Sequence, residues 1–276
     1  IYDVNLIVNY IAKKRIDKRN RNKNVIQVYA DKFGINENLP SYLSMSLGAG
    51  ETDLLSITNA YGMIINGGKK ITPTLIDRVQ DRRGTTIFRH DERDCKNCNG
   101  NKSNALEIPL LATQDTREKI ISSSSAYQMV SMLQGAVNRG TGKIINSLGK
   151  NLAGKTGTTN ENTDAWFVGF TSDLVIGVYV GMDDPKPLGK FETGSKTALP
   201  IFKEFVEKSV KKSNARPFKV AEDIIMMVVD PLTGEKAKFS SKNTIVEAYK
   251  KKNVVEGKIL YTNNNRIEMT NILEFY

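Results

Sequence analysis

Residues 152–159, 165–171 and 174–182 form three runs of strand-type composition, joined by Asn160-Glu161-Asn162-Thr163 and by Ser172-Asp173. A parallel crossover takes about a dozen residues or more, so joints this short require antiparallel neighbours. In the middle run Trp166, Val168 and Phe170 share one face, and Ala165, Phe167 and Gly169 share the other. A strand apolar on both faces must be covered on both sides. The rest of the fold therefore has to supply two layers around this sheet.

Those layers read as helices. Val25, Val28, Tyr29 and Phe33 recur with helical spacing, with Gly34 as a stop. Thr52 is placed to cap a second helix with Leu54, Leu55, Thr58, Tyr61, Ile64 and Ile65 as its buried stripe, ending at Asn66-Gly67-Gly68. Residues 122–125 offer serine caps for a helix facing inward through Tyr127, Val130, Leu133 and Val137. Residues 197–212 form the last helix, with Pro200 in its first turn, a stripe of Leu199, Phe202, Phe205 and Val206, and Lys211 and Lys212 at its negative end. A hairpin is expected over residues 76–88, turning near Arg83-Gly84. The fold class is α+β: an antiparallel sheet flanked by helices, with a small β-type appendage from Ser213 that turns at residues 230–234. Residues 1–23, whose run from Lys13 to Lys23 has no hydrophobic period, are expected to be poorly ordered.

The 276 residues carry a net charge of +10. Lys and Arg are spread along the chain, and the one dense run lacks interleaved aromatics, so a solvated basic surface is the expectation and nucleic acid is not an expected partner. Cys95 and Cys98 supply half a structural zinc set, and His90 is the single histidine; acidic residues could complete a site, but the polar flanks favour a loop disulfide or two idle thiols, and no metal or cofactor is assigned. One histidine also argues against a Ser-His-Asp machine. No stretch approaches the roughly 18 apolar residues of a membrane span, and no leader pattern opens the chain. It starts at Ile1 and is expected to begin inside something longer.

Gly149-Lys150-Asn151-Leu152-Ala153-Gly154-Lys155-Thr156 has the spacing of a phosphate-binding P-loop. A P-loop needs a helix to open at its Lys-Thr pair. Here Gly157 and two threonines follow, which favour a strand over a helix. On a strand, Lys155 and Gly157 point one way and Thr156 and Thr158 the other. The glycine lets another element approach closely, beside a cation and two hydroxyls suited to a carboxylate. Lys-Thr-Gly is also a signature of serine β-lactamases and penicillin-binding proteins.

Its surroundings extend the match. Leu152-Ala153-Gly154-Lys155-Thr156-Gly157-Thr158-Thr159-Asn160 followed by Asn162-Thr163-Asp164-Ala165-Trp166-Phe167-Val168-Gly169-Phe170 resembles the class A penicillin-binding proteins of the 1A type. So do Tyr42-Leu43-Ser44-Met45-Ser46-Leu47-Gly48-Ala49-Gly50-Glu51-Thr52, Ala60-Tyr61-Gly62-Met63, Asn66-Gly67-Gly68, Thr72-Pro73-Thr74-Leu75-Ile76-Asp77 and Arg139-Gly140-Thr141-Gly142, in the family's order. The resemblance covers residues 24–212, the C-terminal part of a transpeptidase domain.

The resemblance implies a serine that attacks the penultimate D-Ala carbonyl of a peptidoglycan stem peptide, with β-lactams as mimics of that substrate. It implies that Lys155 supplies positive potential and proton-network contacts, that Thr156 and Thr158 beside Gly157 bind the terminal carboxylate, and that the Thr158 N–H is an oxyanion donor. It also implies a parent enzyme on the outer, periplasmic face of the cytoplasmic membrane; the family's glycosyltransferase domain and anchor are not in this sequence, and the chain's own location is left open.

The family's other two motifs, Ser-x-x-Lys and then Ser-x-Asn ahead of Lys-Thr-Gly, do not occur in their places. Ser-x-x-Lys occurs at 147–150 and 209–212, both out of order, and Ser-x-Asn only at 241–243. In the upstream slot, Asn22-Lys23-Asn24 puts Asn where Ser belongs. The expectation is a C-terminal transpeptidase fragment, inactive alone; the alternative is half of a split enzyme completed by an upstream chain, and a P-loop nucleotide-binding protein is a remote third.

Overall fold

The computed structural model describes residues 24–91, 115–210, 216–231, 234–238, 243–255 and 258–259. The basic run ahead of residue 24, Cys95 and Cys98, and Lys211 and Lys212 lie outside the described residues.

Helix α1 (Val25–Lys32) opens on a reciprocal capping box: the Asn24 side chain accepts from Gln27 N–H, and the Gln27 side chain accepts from Asn24 N–H, both at 2.9 Å. Val28 and Ala30 are its buried residues, whereas Tyr29, expected inward, is exposed. Helix α2 (Leu54–Ile65) is capped by Asp53, not Thr52. Asp53 accepts from Ser56 N–H at 2.8 Å and from the Ser56 hydroxyl at 2.6 Å, which holds its carboxyl below the usual range. The Thr52 hydroxyl instead donates to the Ile35 carbonyl at 3.0 Å. Leu55, assigned to the stripe, is 63% exposed, and Ala60 and Met63 are buried in its stead.

Strands β1 (Arg78–Gln80) and β2 (Thr86–Arg89) make the expected hairpin, with Gly84 at φ 83° in the turn, but every residue of both strands is exposed. Helix α3 (Ser123–Asn138) starts at Ser122, whose side chain accepts from Ser125 N–H at 3.1 Å, and Tyr127, Val130, Leu133 and Val137 are all buried. Ahead of it, Asp115 bridges Lys69 (2.6 Å) and Arg117 (2.7 Å), and the Arg117 guanidinium first, then Lys69, hold its carboxyl well below the ordinary range.

Strands β3 (Ala153–Thr158), β4 (Ala165–Phe170) and β5 (Val175–Val180) form one antiparallel sheet in the order β3-β4-β5. Lys155-Thr156 lies inside β3, so no helix opens there and the P-loop reading falls. Opposed residues in an antiparallel pair share a face. One face carries Ala165 and Phe167 into a cluster with Leu199, Phe202 and Val206 of helix α4 (Ala198–Ser209), closed at the sheet edge by Ile145 and Leu148 of a 3₁₀ segment (Lys143–Leu148). The other presents Ala153 and Phe170 to Tyr127, Val130 and Leu133 of α3, with Tyr61 and Ile64 of α2 alongside. Phe205 of α4, expected in its stripe, is 48% exposed, because α4 contributes Ala198, Leu199, Phe202 and Val206 to the core.

Two glycines set how close the helices come. A Cβ on Gly169 would lie 2.8 Å from the Phe202 ring, and one on Gly177 would collide with the Thr58 hydroxyl and stand 2.9 Å from Leu54 of α2. These are close approaches on opposite faces of the sheet.

Beyond α4, β6 (Ile224–Val229) and β7 (Ile245–Lys250) pair antiparallel, followed by β8 (Val254–Val255) and β9 (Lys258–Ile259). Phe218, Ile224 and Ala248 join the α3-facing cluster. Polar ties align β7 on α3: Gln128 Nε2 donates to the Ala248 carbonyl at 3.0 Å, Lys250 Nζ to Ser125 Oγ at 2.6 Å, and Arg139 pairs with Glu247 at 3.0 Å. Among the described residues no helix is long and apolar enough to cross a membrane.

Candidate active site

The candidate site residues are all on β3, and among the described residues β3 is an edge of its sheet. One residue past the ladder, the Thr159 N–H donates to the Asp164 carbonyl at 3.2 Å. With that register, odd-numbered residues of β3 turn their backbone groups toward β4, while Gly154, Thr156 and Thr158 send theirs off the open edge. The buried part of β3 is its start, Ala153 and Gly154; from Lys155 onward the strand emerges toward solvent.

Four features follow from this placement. The Lys155 ammonium donates to the outward carbonyl of Thr156 at 3.1 Å, so its charge lies along the open edge. The Thr156 and Thr141 hydroxyl oxygens are 3.0 Å apart. The Thr158 hydroxyl oxygen accepts from Gly194 N–H at 3.0 Å, and Thr158's own N–H points off the edge. Gly157 has no side chain, and a Cβ there would come 3.1 Å from that of Trp166, its partner on β4. The close approach expected at this glycine is thus made by the Trp166 side chain on one face. On the other, Gly194 sits where any Cβ would strike the carbonyl oxygens of Gly157 and Trp166.

Around this edge the Trp166 ring packs on Tyr179 of β5, centroids 4.5 Å apart. Tyr179 donates to Asp164 at 2.9 Å, and that hydrogen bond raises the phenol above its ordinary value. The loop that carries Gly194 also holds Phe191 at φ 71°, 61% exposed, with the Lys190 and Lys196 ammonium groups each 5.4 Å from its ring. A cation, two hydroxyls and an outward N–H on one exposed edge can receive an anion or a developing oxyanion.

The nucleophile strings do not assemble. In the string at 147–150, the Ser147 hydroxyl donates to the Ile144 carbonyl at 3.0 Å, while Lys150 Nζ donates to the Val206 carbonyl of α4 at 3.2 Å. Ser209 ends α4, and Lys212 lies outside the described residues, as do Asn22, Lys23 and Ser241. Asn24 serves as the α1 cap. His90 bonds through Nε2 with the Thr72 carbonyl at 3.1 Å. Among the described residues no group of three or more His, Cys, Asp or Glu is arranged to hold a metal ion. Sequence reasoning gave no role to Thr141 or Gly194; the signal for Thr141 lay in the quoted Arg139-Gly140-Thr141-Gly142, but nothing local pointed from it to β3.

A helix-flanked antiparallel sheet with Lys-Thr-Gly on its exposed edge is the arrangement of a penicillin-binding transpeptidase. The family model described as penicillin binding protein transpeptidase domain matches residues 17–207, and the chain belongs to that family. The match starts ahead of residue 24, where the quoted resemblance begins. Within the family the chain is similar to penicillin-binding proteins of the 1A type. It is 44% identical over 227 residues to penicillin-binding protein 1A of Rickettsia conorii, covering 81% of this chain and 28% of that protein. It is 35% identical over 201 residues to penicillin-binding protein 1A of Neisseria flavescens, covering 72% of this chain and 23% of that protein. The crystal structure of penicillin-binding protein 1A from Haemophilus influenzae superposes with a TM-score of 0.66 at 26% identity, covering 86% of this chain and 37% of that one. The penicillin-binding protein PonA1 of Mycobacterium tuberculosis shares the fold, with a TM-score of 0.53 at 22% identity over 70% of this chain and 51% of that one. The chain thus spans under a third of the length of these curated relatives.

Proposed function

We propose that this chain contributes the carboxylate-recognition edge of a peptidoglycan D-Ala-D-Ala transpeptidase and forms no acyl-enzyme by itself. The observation that carries the reading is the exposed β3 edge, which bears Lys155, the Thr156 and Thr158 hydroxyls and the outward Thr158 N–H. In this reading Lys155 supplies positive potential, Thr156 and Thr158 hold the terminal carboxylate of a stem peptide or a β-lactam beside Gly157, and the Thr158 N–H stabilises the oxyanion. No cofactor takes part. Residues 24–212 are the partial transpeptidase domain, and residues 213–276 follow it as an appendage. The parent enzyme works on the outer face of the cytoplasmic membrane.

Ser147 and Lys150 each hydrogen-bond to a different backbone carbonyl, which supports the lack of activity, because a serine nucleophile needs its base within hydrogen-bond reach, about 3 Å. Incubation of the purified chain with a fluorescent penicillin, followed by intact-mass measurement, tests this. The expected result is no adduct, and a stoichiometric adduct on any serine refutes it.

A second reading makes the chain half of a split enzyme whose serines come from an upstream polypeptide. Exposed apolar side chains ahead of and within α2 favour it: Tyr42 at 69%, Leu47 at 72% and Leu55 at 63%. Labelling that appears only after addition of the upstream part of the Rickettsia conorii relative's transpeptidase domain would establish it.

A further inference from the structure

We propose that Thr141 is a positioning residue for anion recognition: together with the Gly194 N–H, it orients the Thr156 and Thr158 hydroxyls so that both donate to one carboxylate at the β3 edge. The inference rests on the reading of β3 as the carboxylate-binding strand.

A hydroxyl has one proton and can accept at its oxygen. Thr158 Oγ1 already accepts from Gly194 N–H, so its proton is available to donate elsewhere. Thr156 Oγ1 lies 3.0 Å from Thr141 Oγ1, a pair in which either side can donate. A carboxylate at the edge resolves that ambiguity. Hydrogen bonds to an ionised acceptor are about twice as strong as neutral ones, so the Thr156 proton turns to the anion and Thr141 donates to Thr156. The two site hydroxyls then have equivalent surroundings, each accepting from a partner behind it and donating forward.

Both partners are held by backbone packing. Thr141 lies between two glycines pressed on the end of α3: a Cβ on Gly140 would come 2.9 Å from the Ala136 carbonyl, and one on Gly142 3.2 Å from Val137 Cα. The Gly142 N–H also donates to the Ala136 carbonyl at 3.0 Å. Gly194 is wedged against the Gly157 and Trp166 carbonyls, where no side chain fits. Donors fixed before the ligand arrives lose little freedom on binding. This explains why a hydroxyl residue, rather than a third glycine, stands at 141.

The test uses the purified chain and its single tryptophan, Trp166, whose side chain crosses Gly157 and reports on β3. N-acetyl-D-Ala-D-Ala and its C-terminal amide are titrated while fluorescence is followed, for wild type, Thr141→Val and Thr141→Ser. Wild type is expected to prefer the carboxylate over the amide. Thr141→Val should reduce that preference by about threefold to tenfold, the worth of one hydrogen bond, and Thr141→Ser should restore it. A merely structural role would weaken both ligands together, so an unchanged preference in Thr141→Val overturns the inference and leaves the strand's role standing. Wild type that shows no preference, with Lys155→Met indistinguishable from it, refutes the reading of the strand and the inference together. Should Thr141→Val fail to fold by circular dichroism, Thr141→Ala carries the same comparison.

Discussion

The central sheet and the β6–β7 hairpin are both antiparallel, but different forces hold them. Strand β4 is enclosed on two faces, with Ala165, Phe167 and Phe170 fully buried between α4 on one side and α2 and α3 on the other. The β6–β7 pair commits Ile224 and Ala248 to the shared core and Met227 and Val229 to a small apolar cluster on its other face, while Met226, Val228 and Val246 are exposed. On α3 it adds to the apolar contacts of Ile224 and Ala248 the Arg139–Glu247 pair and the Gln128 and Lys250 hydrogen bonds. Apolar enclosure carries no titrating group, whereas the charged ties of the hairpin respond to pH and are screened by salt.

The sharpest way to break this contrast is to remove volume from the enclosed side. Phe202 is fully buried, with its ring edge-on to Phe167 at 4.7 Å. Phe202→Ala should cost about 3–5 kcal/mol in urea unfolding. Adding volume should cost less: Gly177→Ala pushes a methyl into Thr58 and Leu54, with an expected loss of about 1–3 kcal/mol.

The docked hairpin should respond more weakly and with pH. Burial raises the Glu247 carboxyl above its ordinary value, and Arg139 opposes the shift. A raised carboxyl favours folding most when protonated, and that contribution is lost as pH climbs through the raised value. Arg139 compensates when the carboxylate is charged. Arg139→Ala should therefore cost about 1 kcal/mol near neutrality, and less at about pH 5, as read from thermal melts at the two pH values. Glu247→Gln should remove the pH dependence of that difference. The smallest effect belongs to the exposed β1–β2 hairpin, where Ile87 is 70% exposed; Ile87→Thr should stay within about 0.5 kcal/mol.

Local chemistry made much of this legible from residues alone. The Ser122 cap, the turn at Gly84 and the three strands with their short joints depend on neighbours a few positions apart. The period-two pattern of β4 also implied cover on both faces before any partner was known. The errors occurred where distant contacts decided between local equals. Thr52 and Asp53 are both good caps, and Thr52 lost because its hydroxyl is taken by Ile35, 17 residues earlier. Leu55 and Phe205 fit their helical periods but fall outside the area that the sheet covers.

The sequence by itself determined that Lys155, Thr156, Gly157 and Thr158 lie on a strand, because glycine and paired threonines resist a helix and alternate along an extended chain. Only the tertiary structure decided that this strand is an edge, that Thr158 turns its N–H away from β4, and which groups stand behind the two hydroxyls. Thr141 reaches Thr156 across 15 residues, and Gly194 reaches Thr158 across 36. Contacts at such separations are set by how helices close over a sheet, and a pattern of neighbouring residues does not encode them.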